Sequence, residues 1–186
     1  MESMGGLPDN ISFSGTPNEY EARGGIMFKN RKIEVLSKAK VFEGFSREEL
    51  KTISKHCLKI EFQRGDVLIE ISQKPSGLFI LTKGQLKVFL PERLDGRKER
   101  RASTVNLNVL KEGDCFGEYS LLENTQVSAS VVGKEPGEVL KIPKSGFDEI
   151  MADDRIGKKI YRNFLHILIK RLRKKENELD LVLLAS

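Results

Sequence analysis

Gly113-Asp114-Cys115-Phe116-Gly117-Glu118 is the segment of this 186-residue chain best suited to hold an anion. A short helix beginning at Gly117 would present free backbone N–H groups and the positive end of its dipole. Glycine there lets a ligand approach the backbone closely. The same residues could also form a tight turn with a solvated acid at Glu118.

Other chemistries find little support. His56 and His166 have no nucleophile or metal partner nearby in sequence, and both are read as structural or surface residues. Neither a Walker loop nor a dinucleotide fingerprint is present. No enzyme activity, metal or cofactor is therefore expected. Cys57 and Cys115 lack metal-ligand spacing, and two cysteines do not make a disulfide scaffold. They fit a reduced, cytoplasmic setting. No apolar run approaches the roughly 20 residues of a membrane span, and the N-terminus lacks a signal-peptide core.

The net charge of +5 is unevenly placed. Arg155 to Lys175 holds nine Lys or Arg and no Asp or Glu. Such a face could meet nucleic acid or a membrane, or simply be solvated. A second basic cluster, Arg93, Arg97, Lys98, Arg100 and Arg101, lies in a polar hairpin. Its Arg100-Arg101-Ala102-Ser103 also matches a basophilic kinase site.

The elements that must carry the anion site follow from periodicity. Residues 1–30 hold Gly5-Gly6, Pro8, Gly15, Pro17 and Gly24-Gly25, and are expected to form a mobile arm. Ser46-Arg47-Glu48-Glu49 has the capping-box pattern, predicting a helix to about Lys55 that buries Leu50 and Ile53. From Leu58 to Ile142 short apolar runs alternate with Gly, Pro and polar turns. Ile60/Phe62, Val67–Ile69, Leu78–Leu81, Leu86/Val88/Leu90, Val105/Leu107/Val109, Val131-Val132 and Val139–Ile142 predict about eight short strands in a sandwich or jelly-roll barrel. Ser145 with Asp148 is expected to cap a short helix carrying Phe147, Ile150 and Met151.

A long helix should start near Asp154. It carries a heptad seam of Leu165, Leu168, Leu172, Lys175, Leu179 and Val182, and a second stripe of Ile156, Ile160, Phe164 and Ile167. One stripe can cover the barrel while the other meets a partner helix. The expected organisation is thus an arm over 1–30, a barrel with N-terminal helices over 31–152, and a helix over 153–186 that makes a homodimer.

These motifs resemble the cyclic-nucleotide-binding domains of the catabolite activator protein and of kinase regulatory subunits. Phe62-Gln63-Arg64-Gly65-Asp66 looks like the family's opening turn, and Phe79-Ile80-Leu81 before Gly84 like its aromatic-aliphatic strand. Leu110-x-x-Gly113-x-x-Phe116-Gly117-Glu118 resembles its phosphate-binding cassette. The resemblance implies a mostly β fold with flanking helices, an eight-stranded jelly-roll barrel plus a long C-terminal helix. It implies a ligand of the cAMP or cGMP kind. Glu118 would accept a hydrogen bond from the ribose 2′-hydroxyl, and Ser120 and Ser128 would supply donors to the phosphate. Ser130 stands where the family often has a hydroxyl residue. Gly117 and Tyr119 complete the candidate set. Lys175 and Glu176 fall near where the helix would meet the base.

Two positions depart from the family's pattern. Val127 occupies the place of the arginine that pairs with the cyclic phosphate, and Ser72 stands where glycine is common. An arginine from Arg97 to Arg101 would be one substitute. Three functions remain open: a sensor of a cyclic nucleotide or of a different ligand, a ligand-free dimeric scaffold or protein-interaction partner, and a nucleic-acid binder using the basic helix. No helix-turn-helix module follows the long helix before Ser186, so specific DNA reading is not expected.

Overall fold

The computed structural model describes residues 25–92 and 103–184. The basic hairpin residues Arg93, Arg97, Lys98, Arg100 and Arg101, and most of the expected arm, lie outside the described residues. The first helix, α1, spans Gly25–Lys38, so helical structure begins inside the segment expected to be an arm. A single 3-10 turn follows at Lys40–Phe42, then α2 at Arg47–Ser54. The predicted capping box forms. The Glu49 N–H donates to Ser46 Oγ at 3.2 Å, and the Ser46 N–H donates to the Glu49 carboxylate at 2.7 Å.

Eight strands follow: β1 Leu58–Phe62, β2 Val67–Ile69, β3 Gly77–Lys83, β4 Leu86–Leu90, β5 Val105–Leu110, β6 Cys115–Phe116, β7 Ser130–Gly133 and β8 Gly137–Pro143. They pair antiparallel as two four-stranded sheets, β1-β8-β3-β6 and β2-β7-β4-β5. The jelly roll is therefore a sandwich of two facing sheets and not one closed hydrogen-bonded cylinder. A short helix, α3 (Glu118–Glu123), sits between β6 and β7. After β8 come α4 (Lys144–Met151) and α5 (Asp154–Leu184).

Period two divides β3 between two cores. Phe79 and Leu81 point between the sheets with Phe62, Phe116 and Val139. Leu78 and Ile80 point outward, beneath the helices, with Val41, Phe42, Phe147 and Phe164. In β5, Val105 and Val109 face solvent while Leu110 is buried. A register shift between Val88 and Phe89 of β4 accompanies this outward turn.

The expected cap at Ser145 is not made. Pro143, whose fixed φ suits a helix entry, precedes α4 without a side-chain bond. Ser145 is then already inside the first turn, and Asp148 takes the Lys144 ammonium at 3.2 Å.

The two stripes of α5 part company as expected. Ile156, Ile160, Phe164 and Ile167 are buried against the N-terminal helices and α4. Leu165, Leu172 and Leu179 are exposed. Polar contacts fix the helix too. The Asn163 amide, itself buried, donates to the Val41 and Glu43 carbonyls at 2.9 Å each. Lys159 lies 2.8 Å from both Glu49 carboxylate oxygens and over the Phe45 ring.

Candidate functional site

The site is built where β6 ends and α3 begins. Gly117 caps α3 with φ +85°, and a Cβ there would lie only 2.7 Å from the Gly77 carbonyl oxygen. No L side chain fits both the left-handed backbone and that gap. The turn in turn sets the direction of Glu118, which is 2% exposed.

Glu118 does not stand free. Arg171 of α5 donates from Nη1 to its carboxylate and to the Tyr119 hydroxyl at 3.3 Å. Its Nη2 donates to the Cys115 carbonyl at 2.6 Å, and the guanidinium lies 5.8 Å from the centre of the Tyr119 ring. One side chain from the last helix thus grips three residues of the cassette. Burial pushes the Glu118 carboxyl above its ordinary range, and Arg171 pulls it back. Burial works most strongly against the Arg171 charge, but Glu118, Tyr119 and Cys115 together outweigh it and hold the guanidinium more firmly protonated than usual.

The cassette is tied to the N-terminal helices as well. Lys40 pairs with Asp114 at 2.6 Å, and its N–H donates to the Gly113 carbonyl at 3.2 Å.

The serines divide. Ser120 is buried and donates to the Gly117 carbonyl at 3.3 Å, holding the first turn of α3. Ser130 is buried and its Oγ accepts from the Ile71 N–H at 3.0 Å, tying β7 to the turn after β2. Ser128 is exposed at the rim. Val127 packs against the core between the sheets. Its N–H donates to the Gln73 carbonyl at 2.9 Å, and its carbonyl accepts from the Ser72 N–H at 2.8 Å. Ser72 has φ +71°, the left-handed conformation in which glycine is the usual residue.

Two groups escaped the sequence reading. Arg171 was one of nine cations in a basic stretch, with nothing in spacing to single it out. It lies one helical turn before Lys175, which meets Glu178 of its own helix at 2.6 Å and not the cassette. Lys141 is the other. It shares an inward-facing row of the first sheet with Phe79 and Phe116. Its ammonium sits 5.3 Å from the centre of the Phe79 ring, which stacks on Phe116 at 5.0 Å. Burial lowers its basicity.

Cys115 and Cys57 are both buried thiols. Burial pushes Cys57 up to about 12 and Cys115 well above its ordinary value, so neither is a poised nucleophile. Among the described residues no His, Cys, Asp and Glu group could hold a metal ion, and no helix is long and apolar enough to cross a membrane.

A left-handed glycine at the head of a short helix, a buried acid beside it and a jelly roll followed by a long helix define a class. Residues 59–154 match the cyclic nucleotide-binding domain family, and the chain belongs to it. Its domains are regulatory in character. A cGMP-dependent protein kinase of Caenorhabditis briggsae is 27% identical over 122 residues, which are 65% of this chain and 16% of the kinase. Glutaminase 1 of Bradyrhizobium diazoefficiens is 30% identical over 138 residues, 74% of this chain and 21% of that protein. The chain thus spans a minor part of these relatives. Among solved structures, a cyclic nucleotide-binding domain from Methylobacillus flagellatus superposes with TM-score 0.67 at 19% identity, covering 81% of this chain and 82% of that one. The catabolite activator protein of Thermus thermophilus gives TM-score 0.61 at 25% identity, covering 77% and 63%.

Proposed function

We propose that this chain is a regulatory sensor in which a cyclic nucleotide, cAMP or cGMP, occupies the cassette and biases the position of α5. The observation that carries the reading is the grip of Arg171 on Glu118, because it joins the acid of the site to the helix that must respond. A ribose hydroxyl donating to Glu118 would compete for, or share, the carboxylate that Arg171 holds. Either effect changes how tightly α5 is held, and a ligand with different affinities for the held and freed states shifts their populations. Relatives lend support: a regulatory domain of Toxoplasma gondii PKA, with TM-score 0.56 at 21% identity, was crystallised with cAMP.

Affinity should be low for the family. Val127 offers no charge to the phosphate, and a charge-assisted hydrogen bond contributes roughly 1.5–3 kcal/mol, or about ten- to a hundredfold in affinity. Ser120 already donates its hydroxyl to the Gly117 carbonyl, and the Ser130 oxygen is taken by the Ile71 N–H. Gly117, Glu118, Tyr119 and Ser128 remain the candidate contacts. The module acts as a homodimer through α5, in a reducing cytoplasm that suits two buried thiols.

Calorimetric titration with cAMP and with cGMP tests this. Millimolar dissociation constants are expected for the wild type, tightening about ten- to a hundredfold in Val127→Arg and lost in Glu118→Ala. A second reading, a ligand-free scaffold, draws on the apolar packing of Val127. Absence of binding in both wild type and Val127→Arg would favour it and end the sensor reading.

A further inference from the structure

One row of the first sheet crosses all four of its strands, Leu58, Lys141, Phe79 and Phe116, and turns toward the second sheet. The apolar cluster it joins includes Phe62, Ile69, Leu86 and Val131. A lysine is out of character there, because a half-buried ammonium without an anion gives up hydration for nothing of equal strength. On the outer face of the same sheet a lysine is provided for: Lys59 meets Glu61 at 2.7 Å and Glu138 at 3.1 Å. Lys141 makes no such pair. Among the described residues its ammonium meets no carboxylate and donates no hydrogen bond, and the Phe79 ring faces it at 5.3 Å.

The same ring lies against the Gly117 turn. Phe79 Cδ2 would stand 3.3 Å from a Cβ on Gly117, as would Ile69 Cδ1 from the second sheet. The ammonium is thus one aromatic ring away from the start of the cassette. Leu58, beside Lys141 in the row, is 47% exposed, so this end of the sandwich is open to a solute. The other charges at the turn are spent on each other, Arg171 on Glu118 and Lys40 on Asp114. Val127 brings none.

We infer that Lys141 supplies the counter-charge of the nucleotide site, leaving the Phe79 ring to meet the anionic group of the ligand from the wall of the first sheet. Its flexible four-carbon stem allows this without backbone movement. The attraction of an ammonium to a ring is weaker than a charge-assisted hydrogen bond, so an anion in reach wins. A lysine is a point charge without the planar fork of arginine, and it recovers only part of what Val127 gives up. The competing role is plain packing, with the stem on Phe79 and the head in water.

The inference rests on the nucleotide reading proposed above, and the experiment separates the two. The full chain is titrated by NMR, which reads millimolar dissociation constants, with cAMP and with adenosine, which has the base and ribose but no phosphate. The wild type should bind cAMP roughly tenfold more tightly than adenosine. Lys141→Met should bring the two within about twofold by weakening cAMP alone, and Lys141→Arg should keep the preference. Equal loss of both ligands in Lys141→Met, or an unchanged preference, overturns the inference, because packing does not tell the two ligands apart. If Glu118→Ala abolishes cAMP binding at the same time, the sensor reading survives that result. A wild-type chain that binds neither ligand overturns both. Acetylation of Lys141 in the wild type, followed by mass spectrometry, needs no variant. At equal occupancy cAMP should slow it severalfold more than adenosine does, and equal slowing overturns the assignment of Lys141.

Discussion

Arg171 and Glu118 stand 53 residues apart in sequence and form an ion pair in which the acid is 2% exposed and the base 26%. The pair joins the Gly117 turn to the last helix through side chains alone. Two charges taken from water are tolerable together and expensive singly.

Arg171→Met should therefore cost about 3 kcal/mol, because it strands a buried carboxylate. The melting temperature would fall by roughly 6–12 °C. Glu118→Gln should cost less, since an amide oxygen still accepts from Arg171 and the charge left unpaired is on the more exposed partner of the two. Thermal denaturation of the two variants checks the order.

Glu118 also sets a pH signature. Burial holds its folded value above the ordinary 4.5 despite Arg171. Its contribution is then fully present below the unfolded value and lost as pH rises through the folded one. The stability of the wild type relative to Glu118→Gln should decline on going upward from about pH 4.5. With Arg171→Met the decline should extend to higher pH. Urea unfolding across pH 4–8 measures both, and a flat difference would contradict the stated direction.

Glu49 behaves in the opposite sense. The Lys159 ammonium, helped by the Ser46 N–H, holds its carboxyl below the usual range. That contribution is present above the unfolded value and lost as pH falls through the folded one. Lys159→Met should cost about 0.5–1 kcal/mol near neutrality and much less in acid, since the pair is only partly buried. Denaturation at pH 7 and pH 3 gives the comparison.

Gly117 and Gly65 test the turn geometry. Both have positive φ, but a Cβ at Gly117 meets the Gly77 carbonyl at 2.7 Å while one at Gly65 meets nothing within 4 Å. Gly65→Ala should cost only the backbone strain, about 1 kcal/mol. Gly117→Ala should cost at least twice that, because the β3 backbone must shift as well, and it should weaken any nucleotide binding. Equal losses would show that the close contact is unimportant.

Much of this was legible in the chain because it is encoded locally. The Ser46 capping box spans four residues, and its two hydrogen bonds form as the pattern requires. Strand positions follow from alternation, and the separate stripes of α5 follow from helical spacing. The glycine at 117 announces its turn because few other residues can make it. Ser145 misled because a proline two residues earlier set the helix start.

The sequence by itself determined a mostly β domain of about eight short strands with a long final helix. These rest on periodicity and on residue types that only a few backbone conformations accept. Only the tertiary structure decided that Arg171, among nine cations of one basic stretch, closes over Glu118, and that Ser120 and Ser130 turn their hydroxyls to the backbone. Such pairings depend on the angle at which α5 crosses the sandwich. That angle comes from the packing of Phe164, Asn163 and Ile160 against residues more than a hundred positions away, a sum of contacts that no local pattern records.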